Sequence, residues 1–370
     1  MIIFLHFPNH PDEQVSVALP TFGRLESDTL SSTGLVVLDA TGSATLAYLP
    51  PTDIPRMKLI QHLPLAGRQV WSVVIPLRVH LTEGMKERTA EVYLSLHRPP
   101  ILLVSDLFND PAVWDPYAGM LRTLRFDALS ISLQQESLAD QASELGLAVQ
   151  RVQDEYAASD ILFSRLDIIA LGTGGLAARS FLATKPVLCR KLILVGTPNG
   201  GIGPLAEPVL AWYKAWEKDH PVAAGQLVPG SPTLQNLPRV SLSPDLEVGV
   251  LFGDGPQGDG LVLPGSAVLP CANIVGFAGL VHTVSLPIAG MSLVAAQPLR
   301  QRIESWLLAP IPSPPAKMIL LNPIPPWAVY SSLGALALLA IWLERRKPSF
   351  LLLPALLVLL AGLYTYFLLR

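Results

Sequence analysis

The chain has 370 residues and a formal net charge of −3; half of its residues are hydrophobic and only 15% are charged. This length allows one large domain and a smaller one. The slightly acidic balance excludes a nucleic-acid-binding protein, because such proteins need a basic surface to neutralise phosphates. Two cysteines, Cys189 and Cys271, are too few for a disulfide framework or a zinc site. We therefore expect buried thiols, no metal and no cofactor.

Residues 1–98 contain short runs of apolar residues separated by proline and glycine. The runs are Val15 to Leu19, Leu35 to Leu38, Thr45 to Leu49, Val70 to Val79 and Ala90 to Leu96. Short strands at such spacing predict a β-rich, β-sandwich-like module. The module has no catalytic motif, and we expect it to bind a protein partner. Its first six residues are too short, and not basic enough, for a secretory signal.

From residue 99 the pattern changes to apolar strands that alternate with helical segments. Ile101 to Val104 and Ala128 to Leu133 predict buried strands, and apolar residues between 138 and 156 recur at helical spacing. Asp167 to Leu171 then leads into a glycine cluster and a helix of small residues. This alternation predicts an α/β domain with a doubly wound, mostly parallel sheet over residues 99–305.

The strand, glycine turn and helix around Gly172 resemble the nucleophile elbow of the α/β hydrolases. Gly174-Gly-Leu-Ala-Ala-Arg179 is similar to the end of that elbow in bacterial lipases and esterases. The family motif is G-x-S-x-G, and its serine is the nucleophile. Here Ala170 stands at the first glycine of the motif and Gly172 at the serine. The resemblance implies an α/β-hydrolase-like domain in which glycine replaces the nucleophile.

Two later segments resemble the parts of the family that carry the acid and the base. Asp259-Gly-Leu-Val262 is similar to the Asp-Gly-Val-Val of lipases, and Gly279-Leu-Val-His282 follows a predicted strand where the family has its histidine. The order, acid before histidine, is that of the hydrolases. The resemblance implies that Asp259 orients His282, the base that in a working enzyme takes the proton of the serine.

The loop that begins at Ser105 resembles the lipase loop that helps to form the oxyanion hole. The His-Gly of that loop is here Ser105-Asp106. The resemblance implies that the backbone N–H groups of Leu107 and Thr173 are the oxyanion donors, and that Asp106 opposes a developing negative oxygen. We expect the Thr173 side chain to point away from the serine position. Ser105 is a less favoured substitute nucleophile near the pocket.

Residues 203–245 follow a Gly196-Thr-Pro run that resembles one in lipases, and they predict an insertion of the cap or lid type. Trp212 and Trp216 lie on one face of a predicted helix. These rings either pack on the body of the domain or border an apolar pocket. Ser231 lies in a proline turn rather than a strand-to-helix elbow, so we do not expect it to be a nucleophile.

The C-terminal part of the chain predicts a membrane anchor. A proline-rich linker over 306–326 precedes two apolar runs, Trp327 to Leu343 and Phe350 to Leu369. A spanning helix needs about 20 apolar residues, so the two runs within 327–370 predict a helical hairpin in a lipid bilayer. Basic residues between the runs favour an extracytoplasmic large domain. Export of a large domain needs a secretory signal, and none is visible, so either the true start lies upstream or the hairpin is inverted. We favour the extracytoplasmic orientation.

Three functions follow from these patterns. The first is a membrane-anchored pseudo-enzyme that binds an apolar or acyl ligand, or a protein partner. The second is an active ester or lipid hydrolase with a non-standard nucleophile. The third is a structural envelope protein with a closed pocket. Gly172 and Asp106, beside the retained Asp259 and His282, favour the first.

Overall fold

The structure is a computed structural model that describes residues 2–309 except for several short gaps. The gaps are 8–11, 19, 21, 52–53, 84–85, 110, 162, 164, 186–188, 238–245, 270–272, 278–279, 282–290 and 293. The predicted anchor, most of the predicted linker, Cys271 and His282 therefore lie outside the described residues. Within the described part, no helix combines the length and the apolar character that crossing a bilayer requires. Cys189 is buried, as expected.

Residues 2–97 form two antiparallel sheets that share one apolar core. The strands are β1 (Ile2–His6), β2 (Gln14–Val17), β3 (Arg24–Glu26), β4 (Leu35–Val37), β5 (Ser43–Leu49), β6 (Gln61–Leu65), β7 (Arg68–Glu83) and β8 (Lys86–His97). One sheet has the order β1-β5-β3, and the other has the order β4-β2-β7-β6 with β8 paired to β7. Burial alternates along β2, as expected for a strand with one face on a core.

The tip of the β6–β7 hairpin inserts into the core of the following α/β region. Leu65 and Val70 flank the turn, and each is only 2% exposed. Both belong to the same apolar cluster as Tyr156 and Leu166. The β-rich region is therefore packed on the α/β region within one compact unit, Met1–Ile311.

An ion-pair cluster reinforces this hairpin contact. Arg68 lies between two carboxylates: Nε is 3.1 Å from Asp127 Oδ1 and Nη2 is 3.0 Å from Glu155 Oε2. The Tyr156 hydroxyl donates to the same Asp127 carboxylate at 2.9 Å. Asp127 is 7% exposed, so these partners replace the water that its carboxylate would otherwise bind.

The α/β region is built on a six-stranded parallel sheet, which confirms the predicted parallel architecture. Its strands are β9 (Ile101–Val104), β10 (Ala128–Ile131), β11 (Leu166–Leu171), β12 (Cys189–Val195), β13 (Glu247–Gly253) and β14 (Asn273–Phe277), in the order β10-β9-β11-β12-β13-β14. Strands β9, β11 and β12 are buried along their whole length. This is expected for parallel strands that helices cover on both faces. A short parallel pair, β15 (Leu280–Val281) and β16 (Met291–Ser292), follows the sheet.

Helices cover both faces of the parallel sheet. They are α1 (Asp115–Thr123), α2 (Leu138–Ala157), α3 (Thr173–Thr184), α4 (Val209–Asp219), α5 (Pro221–Leu227), α6 (Pro232–Asn236), α7 (Pro264–Ala267) and α8 (Gln297–Leu308). Helices α2 and α3 share one apolar cluster with the sheet, and α1 and α8 share the other. Helix α8 continues to Leu308, inside the predicted linker.

Candidate functional site

The turn between β11 and α3 has a conformation that favours glycine. Gly172 has φ 50° and ψ −124°, and helix α3 begins at the next residue, Thr173. Its backbone N–H donates to Val195 O of the neighbouring strand at 2.9 Å. A residue with a Cβ atom is strained at such a positive φ, and glycine is not. The sharp strand-to-helix turn is therefore present, but its apex carries no side chain.

The second glycine of this turn allows α3 to approach the loop after β9. A Cβ atom built on Gly174 would lie 2.5 Å from the carbonyl oxygen of Ser105. Any larger residue would push the helix and the loop apart. Gly174 therefore brings the start of α3 against Ser105 and Asp106.

The carboxylate of Asp106 occupies the space in which a nucleophilic side chain would stand. A Cβ atom built on Gly172 would lie 1.7 Å from Asp106 Oδ2 and 2.5 Å from its Cγ. The first distance is close to a covalent bond length, so a serine cannot be accommodated unless Asp106 moves. Asp106 itself is only 3% exposed.

Hydrogen bonds hold the Asp106 side chain in this position. Oδ1 accepts from the backbone N–H of Phe108 at 2.8 Å and from the Thr173 hydroxyl at 3.3 Å. The Thr173 Oγ1 atom also accepts from the Leu107 N–H at 3.0 Å. The Thr173 side chain is thus turned towards Asp106. The Leu107 N–H, an expected oxyanion donor, is already bonded to a side chain.

Ser105 directly follows β9 and lies near the elbow. The residue is 1% exposed, and its Oγ atom has no hydrogen-bond partner among the described residues. Its backbone N–H donates to Ile131 O at 3.0 Å, which fixes it at the end of the sheet. Because His282 is outside the described residues, the role of Ser105 as a substitute nucleophile stays a prediction.

Asp259 lies in the loop after β13 and is fully buried. Its Oδ1 atom accepts from the backbone N–H groups of Leu261 at 3.0 Å and Val262 at 2.7 Å. These bonds fix the carboxylate within its own loop. Because His282 is outside the described residues, the expected pairing of Asp259 with His282 stays a prediction.

The Gly196-Thr-Pro-Asn199 run connects α3 to the loop after β13, a role that sequence reasoning did not identify. Arg179 Nη1 donates to Asn199 Oδ1 at 2.8 Å, and Asn199 Nδ2 donates to Ala267 O at 2.6 Å. Burial lowers the pKa of Arg179 to about 10. In the sequence, the only sign of this connection is Asn199, a polar residue at the end of a strand and turn that are otherwise apolar.

Helices α4, α5 and α6 lie in the segment predicted as an insertion, and residues of α5 and α6 line a small space together with Thr173. Trp212 and Trp216 of α4 are half-buried, and their rings lie 5.4 and 4.6 Å from the ring centroid of Phe108. Phe108 is the residue whose backbone N–H holds Asp106. The two tryptophans therefore pack on the body of the domain. Ser231 caps α6 by accepting from its backbone, which agrees with a structural role.

A small cavity of about 10 Å³ lies between these helices and the body. The described wall includes Leu107, Gln141 and Thr173 from the body and Gln226 and Leu227 from the insertion. A space of this size holds about one water molecule. In this conformation the cavity has no room for an acyl chain.

No family model matches the sequence, and no curated protein matches it significantly. Among solved structures, the mature lipase BlEst2 of Bacillus licheniformis shares 15% identity over 56% of this chain and 90% of its own, with a TM-score of 0.42. A thermophilic esterase from Thermogutta terrifontis shares 15% identity over 67% and 98%, with a TM-score of 0.36. The carboxylesterase CesB from Bacillus subtilis shares 12% identity over 68% and 93%, with a TM-score of 0.37.

The shape of the elbow and its place in the sheet decide the fold. The turn at Gly172 follows a central strand of an all-parallel sheet and opens a helix that packs on one face. The loop after the adjacent strand β9 meets the start of that helix, as the oxyanion loop of a hydrolase does. The described residues therefore have the arrangement of an α/β-hydrolase fold.

Proposed function

We propose that the hydrolase-fold domain is a non-catalytic binding protein. One observation carries the proposal: the Asp106 carboxylate fills the space of the missing side chain at Gly172. Glycine offers no oxygen that a substrate could acylate, and loss of a triad serine costs on the order of 10⁶ in turnover in a protease. A carboxylate at the elbow also opposes the negative charge that develops on a tetrahedral intermediate.

The same proposal includes attachment to a lipid bilayer through residues 327–370, with the large domain outside the cytoplasm. The two apolar runs support it, each about as long as a spanning helix, and so do the basic residues between them. The β-rich module would then present a surface to a protein partner. Membrane fractions washed with alkaline carbonate should retain the chain, and added protease should digest its large domain in spheroplasts. Release by carbonate would contradict the anchor, and protection from protease would reverse the orientation.

A second candidate is an ester hydrolase in which Asp106 is the nucleophile. The position of Oδ2, about where a serine oxygen would stand, favours this alternative. The carboxylate would attack the ester carbonyl, and the alkoxide would leave as an alcohol after taking up a proton. Water would then attack Cγ of Asp106 in the resulting mixed anhydride, which restores the carboxylate with one oxygen from water and releases the acid. Burial of Asp106 and the small cavity argue against it.

Ester turnover by the purified full chain separates these proposals. With 4-nitrophenyl butyrate and a fluorophosphonate probe, we expect no turnover above buffer and no labelled residue. The matched variant Asp106→Asn keeps the size of the side chain and removes its charge. Turnover that Asp106→Asn abolishes, with ¹⁸O from labelled water entering Asp106, would establish the second candidate. Turnover that survives Asp106→Asn but disappears in His282→Ala would contradict both.

A further inference from the structure

A short turn in the β-rich module holds two large apolar side chains in solvent. It is a 3₁₀ turn, Arg56–Lys58, in the connection between β5 and β6. Met57 at its centre is 87% exposed, and Ile60 shortly after it is 69% exposed. These are the two highest values among the exposed large apolar residues that the structure describes. A single exposed apolar residue is ordinary, but two that protrude from one turn indicate a contact surface.

Neighbouring residues fasten this turn to the protein. Ile54 before the turn and Leu59 directly after it are 2% and 0% exposed, and both belong to the apolar core of the β-rich module. Arg125 Nη1, from the α/β region, donates to the carbonyl oxygen of Arg56 at 3.0 Å and to that of Leu59. Arg98 Nε donates to the carbonyl oxygen of Ile54 at 2.9 Å. The backbone is therefore held in place, and its path leaves the two apolar side chains in water.

Basic side chains surround the two apolar ones. Arg56 and Lys58 are exposed and flank Met57 in the sequence. Neither has an ion-pair partner among the residues that the structure describes. The Arg125 guanidinium lies against the turn, and the only acid nearby in the sequence, Asp53, lies outside the described residues. The turn therefore combines apolar side chains with an excess of positive charge.

This combination matches the surface of a lipid bilayer better than the surface of a protein. Anionic headgroups attract lysine and arginine, and the region just beneath the headgroups takes up apolar side chains. A protein interface of ordinary size buries about 800 Å² on each partner and has an apolar centre. The apolar surface of the turn is confined to two side chains, which suffices for shallow insertion but is small for such a centre.

We propose that the turn Arg56–Lys58 is a membrane-contact site. Met57 and Ile60 enter the interface of a bilayer, and Arg56 and Lys58 bind the phosphate groups of its anionic lipids. The site goes beyond the proposed function: it depends neither on the non-catalytic assignment nor on the two apolar runs within 327–370. It gives the β-rich module a direct peripheral contact with lipid.

The test places an environment-sensitive fluorophore at residue 57 of the full chain. Met57→Cys is labelled in a Cys271→Ser background, because the other thiol, Cys189, is buried. The labelled protein is reconstituted in vesicles of brominated phosphatidylcholine, with or without phosphatidylglycerol. We expect a blue-shifted emission and quenching by bromine when phosphatidylglycerol is present. The same label at Tyr93→Cys, a 65% exposed position on β8, is the control and should stay unquenched.

Charge variants of the labelled protein test the role of the headgroups. Arg56→Gln/Lys58→Gln should lower the ratio of quenched to unquenched label roughly tenfold or more, as expected for two basic residues at an anionic surface. Arg24→Gln/Arg78→Gln removes the same charge from exposed positions on β3 and β7 and should leave the ratio unchanged. High salt should act like the first pair of changes, because it screens exposed charges.

Four results would overturn the proposal. These are no quenching at residue 57, equal quenching without phosphatidylglycerol, equal quenching at Tyr93→Cys, and an unchanged ratio in Arg56→Gln/Lys58→Gln. A blue shift that grows with protein concentration in detergent, without vesicles, would show a protein contact at the turn instead. Carbonate washing and ester turnover test the anchor and the non-catalytic function separately. A chain that carbonate releases, or that hydrolyses esters, can still show the turn in contact with anionic vesicles.

Discussion

The Asp106 carboxylate fills the space in which the side chain of residue 172 would begin. Its Oδ2 atom lies 1.7 Å from the position of a Cβ atom built on Gly172. The carboxylate can stand there only because residue 172 has no side chain. Conversely, a serine at position 172 requires that Asp106 move or be replaced. The two departures from the hydrolase pattern are thus one coupled change in the structure.

Gly172→Ser alone is expected to destabilise the protein without producing esterase activity. The added Cβ atom overlaps Asp106, and the serine must adopt a φ of 50°. Overpacking and backbone strain together predict a loss of about 2–4 kcal/mol in the free energy of unfolding. Denaturant titration measures this loss. Gly225→Ser is the control, because nothing lies within 4 Å of a Cβ atom at that position.

The double variant Gly172→Ser/Asp106→Gly is expected to recover part of that stability. Removing the carboxylate relieves the overlap, so the two changes should be non-additive by at least about 1 kcal/mol. This is also the variant in which we expect fluorophosphonate to label the introduced serine, provided that His282 acts as the base. Additive free energies would show that Asp106 does not occupy the serine position.

Phe108→Ala is expected to loosen the inserted helices from the body. Phe108 is 6% exposed and contacts both Trp212 and Trp216, so truncation should cost about 3–4 kcal/mol. Hydrogen exchange in α4 should accelerate more than exchange in the central strands. Val222→Ala, at a half-exposed position on α5, is the control and should change neither quantity. Equal acceleration throughout the domain would indicate general destabilisation instead.

Arg68→Met is expected to weaken the contact between the hairpin tip and the α/β region. It leaves the buried Asp127 without its main cation, which should cost about 3 kcal/mol of unfolding free energy. Arg78→Met provides the comparison. The side chains of Arg78 and its partner Glu91 are 52% and 31% exposed, so we expect a much smaller loss than in Arg68→Met. Equal losses in the two variants would contradict a special role for Arg68.

The stability of the protein should fall in mild acid because of His97. Desolvation lowers the pKa of His97 below its ordinary value of 6.5. Between the lowered pKa and 6.5, the unfolded chain binds more protons than the folded one, so stability rises with pH in this window. It is therefore lost as pH falls from 6.5 towards the lowered pKa. Tm measured from pH 5 to 8 should show a flatter profile in His97→Gln, and an identical profile would exclude this residue as the cause.

The buried strands of the parallel sheet and the elbow were predictable because each strand, and the turn itself, is encoded in a short segment. The apolar runs at 101–104 and 166–171 have the length and the composition of buried parallel strands. Glycines directly after the second run predict a tight turn into a helix. The position of the elbow in the fold therefore followed from local pattern.

The position of the Asp106 carboxylate beside Gly172 was not predictable in the same way. Sequence reasoning placed Asp106 near the oxyanion hole, but the course of the loop decides whether its carboxylate reaches Gly172. That course depends on contacts between residues 67 positions apart, such as Asp106 with Thr173. The hairpin contact of Arg68 with Glu155 spans 87 positions and has no local signature. The place of Gln141 in the cavity wall was not predictable either, because in the sequence it is simply one polar residue on an amphipathic helix.

The insertion of Leu65 and Val70 into the core of the α/β region has a consequence for synthesis of the chain. The ribosome makes these two residues before it makes any strand of the parallel sheet, yet their burial requires α2 and β11. The newly made hairpin must therefore keep an apolar tip exposed while roughly a hundred further residues emerge, which takes about 5–20 seconds at ordinary elongation rates. Over that interval the tip is a natural point of contact for a chaperone.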